Sequence, residues 1–196
     1  LKNIWRIEEL RNRILVTLGL LLIYRIGSFI VLPGVDSKMM AASTSGGGGI
    51  AEILAIFTGG AFTRASIFAL GIMPYISASI IMQLMGIAVP AVQKKQKEES
   101  GRRQINQWTR YLTILICVFQ APGYIFTTID AAARPEGQFW LMTSIIILSS
   151  STLFVMWLGE RITERGLGNG ISLIIMIGII AQLPQSFAQE VVGRVG

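Results

Sequence analysis

Few side chains in this 196-residue chain can do bond-making chemistry, and their types exclude most of it. There is no histidine and a single cysteine, which removes imidazole acid–base catalysis, the usual zinc sites and any internal disulfide. Cys117 lies inside an apolar run, where a thiol behaves as a small buried hydrophobe. The loop Gly166-Leu167-Gly168-Asn169-Gly170 has the glycine content of a phosphate cradle at a helix start. No strand pattern precedes it and no Gly-Lys-Ser/Thr follows, so it reads as a tight turn. No apolar stretch carries the paired carboxylates used by proton-coupled transporters. The residues predict neither an enzyme nor a bound metal or cofactor.

Three patterns remain. Ile72, Ile76 and Ile80 recur every four residues, and Ile171, Ile174 and Ile175 cluster near the chain's last apolar run. On spacing alone they read as aliphatic packing or lipid contact. The alternative is a ring of branched aliphatics, which makes a constriction that dewets and blocks ions without any charge. Arg25 is the one cation inside an apolar run. It lies near the outer end, where its stem can snorkel, and anchoring is favoured over a transport role. Glu160, Arg161, Glu164 and Arg165 lie one turn apart and can pair along one helical face, contributing little as solvated charges.

The elements that must position these residues are membrane helices. Hydrophobic residues make up 52% of the chain and charged residues 14%, with a mean hydropathy of +0.60. Five stretches have the roughly twenty apolar residues a spanning helix needs. They are Ile14–Leu32, Ala65–Val92 with Pro74 inside, Tyr111–Ile129, Phe139–Leu158 and Ile171–Ala188. Between the first two, after the run Gly46 to Gly49, comes the apolar segment Ile50–Phe62. As a helix it would cover only about 20 Å of a roughly 30 Å hydrocarbon core. It carries Glu52 and the pair Gly59-Gly60, and a half-length segment of this kind must sit against protein or a water-filled cavity.

Charge sets the orientation. Lys2, Arg6, Arg11, Arg13, Lys94, Lys95, Lys97, Arg102, Arg103, Arg110, Arg161 and Arg165 fall on one side of the predicted spans, against Lys38, Arg64, Arg134 and Arg194 on the other. The positive-inside rule then places the N-terminus and the loop around residues 93–110 in the cytosol, and the short segment outside. The net charge of +6 follows membrane sidedness, so it predicts no nucleic-acid specificity. An odd number of spans ending outside fits one half of an inverted-repeat protein.

Four ordered blocks carry a resemblance that covers nearly the whole chain. The first is Tyr24-Arg25-Ile26-Gly27-Ser28-Phe29 with Pro33-Gly34-Val35-Asp36. The second runs from Phe57-Thr58-Gly59-Gly60 through Ser66 to Ile81. The third is Gly101 to Tyr111, and the fourth is Trp157 to Ser172. Together they resemble the SecY family of bacterial protein-translocation channels. The resemblance implies an all-α polytopic membrane fold over residues 1–196, with five spans and a short re-entrant plug helix near residues 51–62, as one half of an inverted-repeat channel. It implies that Phe57, Thr58, Gly59, Gly60 and Ala61 belong to the plug. Ile72, Ile76 and Ile175 would contribute to an aliphatic pore ring, which overturns the packing reading for them. Ser77 and Gln120 would line a lateral gate to lipid.

The implied activity is signal-sequence-dependent secretion across, and insertion into, the bacterial cytoplasmic membrane. The implied partners are SecE and SecG, the motor ATPase SecA or the ribosome, a signal peptide with its unfolded chain, the lipid bilayer, and the second half of the channel. Half of a small-solute transporter is the competing reading. It would need midplane charges or a broken span aimed at a substrate, for which Pro74 alone is thin support.

Overall fold

The computed structural model describes residues 7–36, 53, 56–131, 133–135 and 137–195, and beyond Pro184 it describes one side chain, Phe187. Much of the expected plug, residues 51, 52, 54 and 55, and its glycine lead lie outside the described residues. Among the described residues the named helices follow in the order α1 (Glu8–Gly27), α2 (Met73–Ala88), α3 (Pro90–Lys97), α4 (Glu99–Thr128), α5 (Gln138–Arg165) and α6 (Gly170–Val195). The β pairing among the described residues is a single antiparallel bridge, Val31 to Ser66. There the Leu32 amide donates to the Ala65 carbonyl and the Ile67 amide to the Ile30 carbonyl.

Local chemistry explains where the helices start and stop. The first turn of α1 carries Glu8 and Glu9 and its last turn Arg25, matching the helix dipole at both ends. Residues 65–72, expected to be helical, run as turns, with Ala65 and Gly71 at positive φ. Pro74 therefore sits in the first turn of α2 rather than inside it, where its missing N–H costs nothing. Val89 is extended, Pro90 opens α3, and the two helices meet at 107°. The Glu160–Arg165 charges divide differently from the expected single-face pairing: Arg161 meets Glu164 at 3.2 Å, but Glu160 crosses to Arg110 of α4.

Burial in α4 falls on Gly101, Ile105, Thr109, Thr113, Cys117, Ala121 and Ile125, every fourth residue. On α5 the buried set includes Ser144, Leu148, Thr152, Val155, Gly159 and Ile162. Small and hydroxylated residues thus face inward, while Leu115, Phe119, Phe126, Phe139, Met142 and Ile146 face out. This is the reverse of a water-soluble bundle, and it is the arrangement of helices that meet through small residues and present large apolar ones to lipid. Inward threonines bond their own helix, as Thr109 does to the Ile105 carbonyl at 2.9 Å and Thr113 to the Thr109 carbonyl at 2.7 Å.

Among the described residues, α4 and α5 are each long and apolar enough to cross a membrane. The pair α2–α3 is long and apolar enough only when taken as one bent unit, and the apolar part of α6 is the shorter Gly170–Pro184. α1 carries five charged residues, Glu8, Glu9, Arg11, Arg13 and Arg25. The thirty residues of α4 run about 45 Å, longer than a bilayer core of roughly 30 Å. Its first twelve, with Glu99, Arg102, Arg103 and Arg110, supply the excess.

Candidate functional site

The turns between Phe57 and Ile72 are enclosed by α1, α4 and α6, and each helix holds them by a different chemistry. Gly59 and Gly60 take the left-handed conformation, at φ +65° and +82°, which glycine adopts without steric cost. Thr58 is buried and accepts the Phe62 amide on its hydroxyl at 3.2 Å. Ala61 is fully buried. From α4, the Tyr124 hydroxyl donates to the Phe62 carbonyl at 2.7 Å, and the two rings meet edge to face at 4.8 Å. From α1, Arg25 Nη1 donates to the Gly59 carbonyl at 3.1 Å.

From α6 the contact is backbone against backbone. A β-carbon on Gly178 would stand 2.6 Å from the Phe57 carbonyl oxygen and 3.3 Å from the Gly59 amide nitrogen. One on Gly59 would stand 3.2 Å from the Gly178 α-carbon. Only glycine at both positions allows this approach, the device by which small residues bring membrane helices together. Beside Arg25, the Phe29 ring carries two guanidiniums, those of Arg25 and Arg64, at 4.9 and 4.8 Å from its centroid.

Directly along the chain from this seat lies the isoleucine cluster. Ile72 is 5% exposed at the N-cap of α2. It shares one apolar cluster with Ile76 one turn later and with Ile175 of α6, packed with Leu21, Tyr24, Phe68 and Ile174. The three expected residues are therefore brought together. Ile80, the next in the ladder, is half-exposed and leaves the cluster. Ser77 and Gln120 lie on exposed sides of α2 and α4, which pack on each other. The structure does not bring either of them into the isoleucine cluster.

Sequence reasoning missed Arg25's target, Tyr124 and Gly178. Arg25 had a signal, as the lone cation in an apolar run. For Gly178 a single sequence offers none, because its partner is main chain. The Gly166–Gly170 loop is structural: Asn169 Oδ1 accepts the Ile171 and Ser172 amides at 3.1 and 3.3 Å, occupying the start of α6. The Leu167 amide bonds the Thr17 hydroxyl of α1 at 3.0 Å, and the Gly170 amide bonds that of Thr163 at 2.9 Å. Among the described residues, no group of three acidic, cysteine or histidine side chains could hold a metal.

A family model described as SecY matches residues 66–195. The protein translocase subunit SecY of Buchnera aphidicola subsp. Acyrthosiphon kondoi is 46% identical over 190 residues, covering 93% of this chain and 53% of that protein. The corresponding subunit of Escherichia coli K12 is 47% identical over 191 residues, covering 93% and 43%. That of Vibrio cholerae is 43% identical over 190 residues, covering 94% and 43%. The chain spans about half the length of the curated relatives it matches. Two solved structures align with a TM-score of 0.61 at 19% identity, covering 88% of this chain and 36% of theirs. One is described as a protein-conducting channel and the other as Sec61 in the canine ribosome–channel complex from the endoplasmic reticulum. At that identity the likeness concerns the fold.

Proposed function

This chain belongs to the SecY family, and on that premise we propose that it forms the N-terminal half of a protein-conducting channel. The reading rests on one observation: isoleucines from two helices converge in one cluster, and the turn segment leading into it is seated on three helices. Ile72, Ile76 and Ile175 would form this half's part of an aliphatic constriction that excludes water and ions without charge. Residues 51–62, with Phe57, Thr58, Gly59, Gly60 and Ala61 at their end, act as the plug. Helices α1, α2 with α3, α4, α5 and α6 serve as five spans, with the N-terminus cytosolic, in the bacterial cytoplasmic membrane. A second half of opposite topology completes the pore.

In this reading the work is gating and no bond is made. A signal sequence and a cytosolic partner shift the equilibrium only by their differential affinity for the open arrangement. The plug moves aside, the isoleucine ring widens, and polar chain passes. A hydrophobic signal helix leaves for lipid between helices, with Ser77 of α2 and Gln120 of α4 on this side of the exit. Hydrogen bonds between helices in bilayers average well under about 2 kcal/mol, so such a seam opens at modest cost. SecE and SecG are the expected membrane partners, and SecA or the ribosome the cytosolic ones that supply energy.

A photo-crosslinker at Ile76 in the full-length channel, with a secretory chain stalled in transit, tests this. Crosslinks to the stalled polypeptide are expected. Their absence when transit is proven would sink the pore assignment.

A further inference from the structure

The seat holds its segment with little apolar burial of the segment's own helical end, since Ile56 is 38% and Phe57 40% exposed. Gly59 and Gly60 have no side chains to bury. Two contacts converge at that point: the guanidinium on the Gly59 carbonyl and the Gly178 main chain against Phe57 and Gly59. The two come from α1 and α6 and meet at Gly59, so that the segment bridges helices far apart in sequence. Arg25 is itself steadied by Phe29 one turn on, whose ring lies 4.9 Å from it.

We propose that Arg25 and Gly178 are the positioning residues that latch residues 56–61 in place, and that this latch sets how often the segment leaves its seat. The latch suits a part that must let go. A charge-assisted hydrogen bond is strong but single, and it is lost at once when the carbonyl turns away. The glycine contact tolerates no side chain, so any substitution at Gly178 pushes on the segment from beneath. Lysine cannot replace the arginine fully, because its ammonium is a compact point charge without the planar fork. For its consequence in gating, the proposal rests on the plug reading; the latch itself stands on the geometry.

The test uses the full-length channel carrying Thr58→Cys, with no substrate present. Thr58 is 3% exposed, so maleimide modification of the introduced thiol proceeds through release of the segment. Cys117, 1% exposed in the helical core, reports in the same sample whether the helices stay packed. Arg25→Gln is expected to speed modification at position 58 by roughly tenfold or more, on the scale of one lost charged hydrogen bond, and Gly178→Ala to speed it too, through the clash of its β-carbon with the Phe57 carbonyl. Arg25→Lys should fall between, and Gly19→Ala, where an added β-carbon meets nothing within 4 Å, should change nothing. Cys117 should remain slow throughout. Unchanged modification in both Arg25→Gln and Gly178→Ala overturns the latch, as does exposure of Cys117 whenever position 58 is exposed, in Arg25→Lys as in the others. Ion leak measured on the same samples separates the two readings: faster modification without leak leaves the latch standing and removes the plug.

Discussion

The seam between α4 and α5 and the seat of residues 56–62 are both built from small residues, yet they hold in different ways. The seam repeats a pattern: Thr113, Cys117 and Ala121 follow one another at every fourth position against Leu148 and Thr152. The Cys117 thiol reaches the Thr152 hydroxyl at 3.5 Å, and neighbouring rows share the load. The seat has no repeat. It relies on Tyr124, Arg25 and Gly178, one from each of three helices. Losing a row of the seam leaves the others in place, whereas a lost seat contact has no like neighbour to stand in for it. Distributed packing makes a wall, and a few unlike contacts make a part that can move.

Four variants would break or sharpen that contrast. The largest effect is expected for Leu148→Ala, at a side chain wholly buried in the seam. It should cost about 2–5 kcal/mol of stability, read by denaturant titration of the purified channel in detergent, with no rise in resting ion leak at temperatures where it stays folded. Replacing Ile72, Ile76 and Ile175 together by Thr shortens each side chain and adds a hydroxyl, each hydroxyl costing about 1–3 kcal/mol of apolar preference. Here the leak of reconstituted vesicles should climb well before unfolding does, and an unchanged leak would count against the ring.

Tyr124→Phe keeps the ring against Phe62 and strips only the hydroxyl. The orphaned Phe62 carbonyl should cost about 1–3 kcal/mol, visible as faster thiol modification at Thr58→Cys. If global stability falls by that amount and position 58 stays protected, Tyr124 belongs to the wall. The smallest effect is expected at the charged end of α4, where Arg110 meets Glu160 at 2.6 and 3.2 Å. Both side chains are partly solvated, 49% and 24% exposed, so Glu160→Gln should lose no more than about 1 kcal/mol. Repeating the titration at about 1 M salt should shrink even that difference.

What could be read beforehand follows the same division. The cores of α4 and α5 were legible because apolar length is a local property of the chain. The turn at Gly166–Gly170 was legible for the same reason. The break after Ala88 had its signal in Pro90, but the apolar run continues to Val92, and hydropathy does not report direction. The start of α2 at Met73 was hidden by Ala65–Ile72, whose composition suits a helix but whose backbone is drawn into the Val31–Ser66 bridge. The isoleucine trio came only through resemblance, since a spacing of four says which residues share a face and not what the face encloses. The seat was least legible. Arg25 and Gly59 are 34 positions apart, and the carbonyl that receives the guanidinium belongs to the main chain, which leaves no trace in residue type.

The threonines that bond back to their own helices bear on the order in which the protein is made. Thr113 in the middle of α4 and Thr143 on α5 each donate to a carbonyl four residues earlier, at 2.7 and 2.9 Å. A hydroxyl satisfied inside its own helix needs no neighbour before it enters hydrocarbon. Each helix can therefore be delivered to the bilayer singly as the chain emerges and wait there for its partner. Assembly is then left to side-by-side docking of stable pieces, and the helices need not enter the bilayer as one cooperative unit.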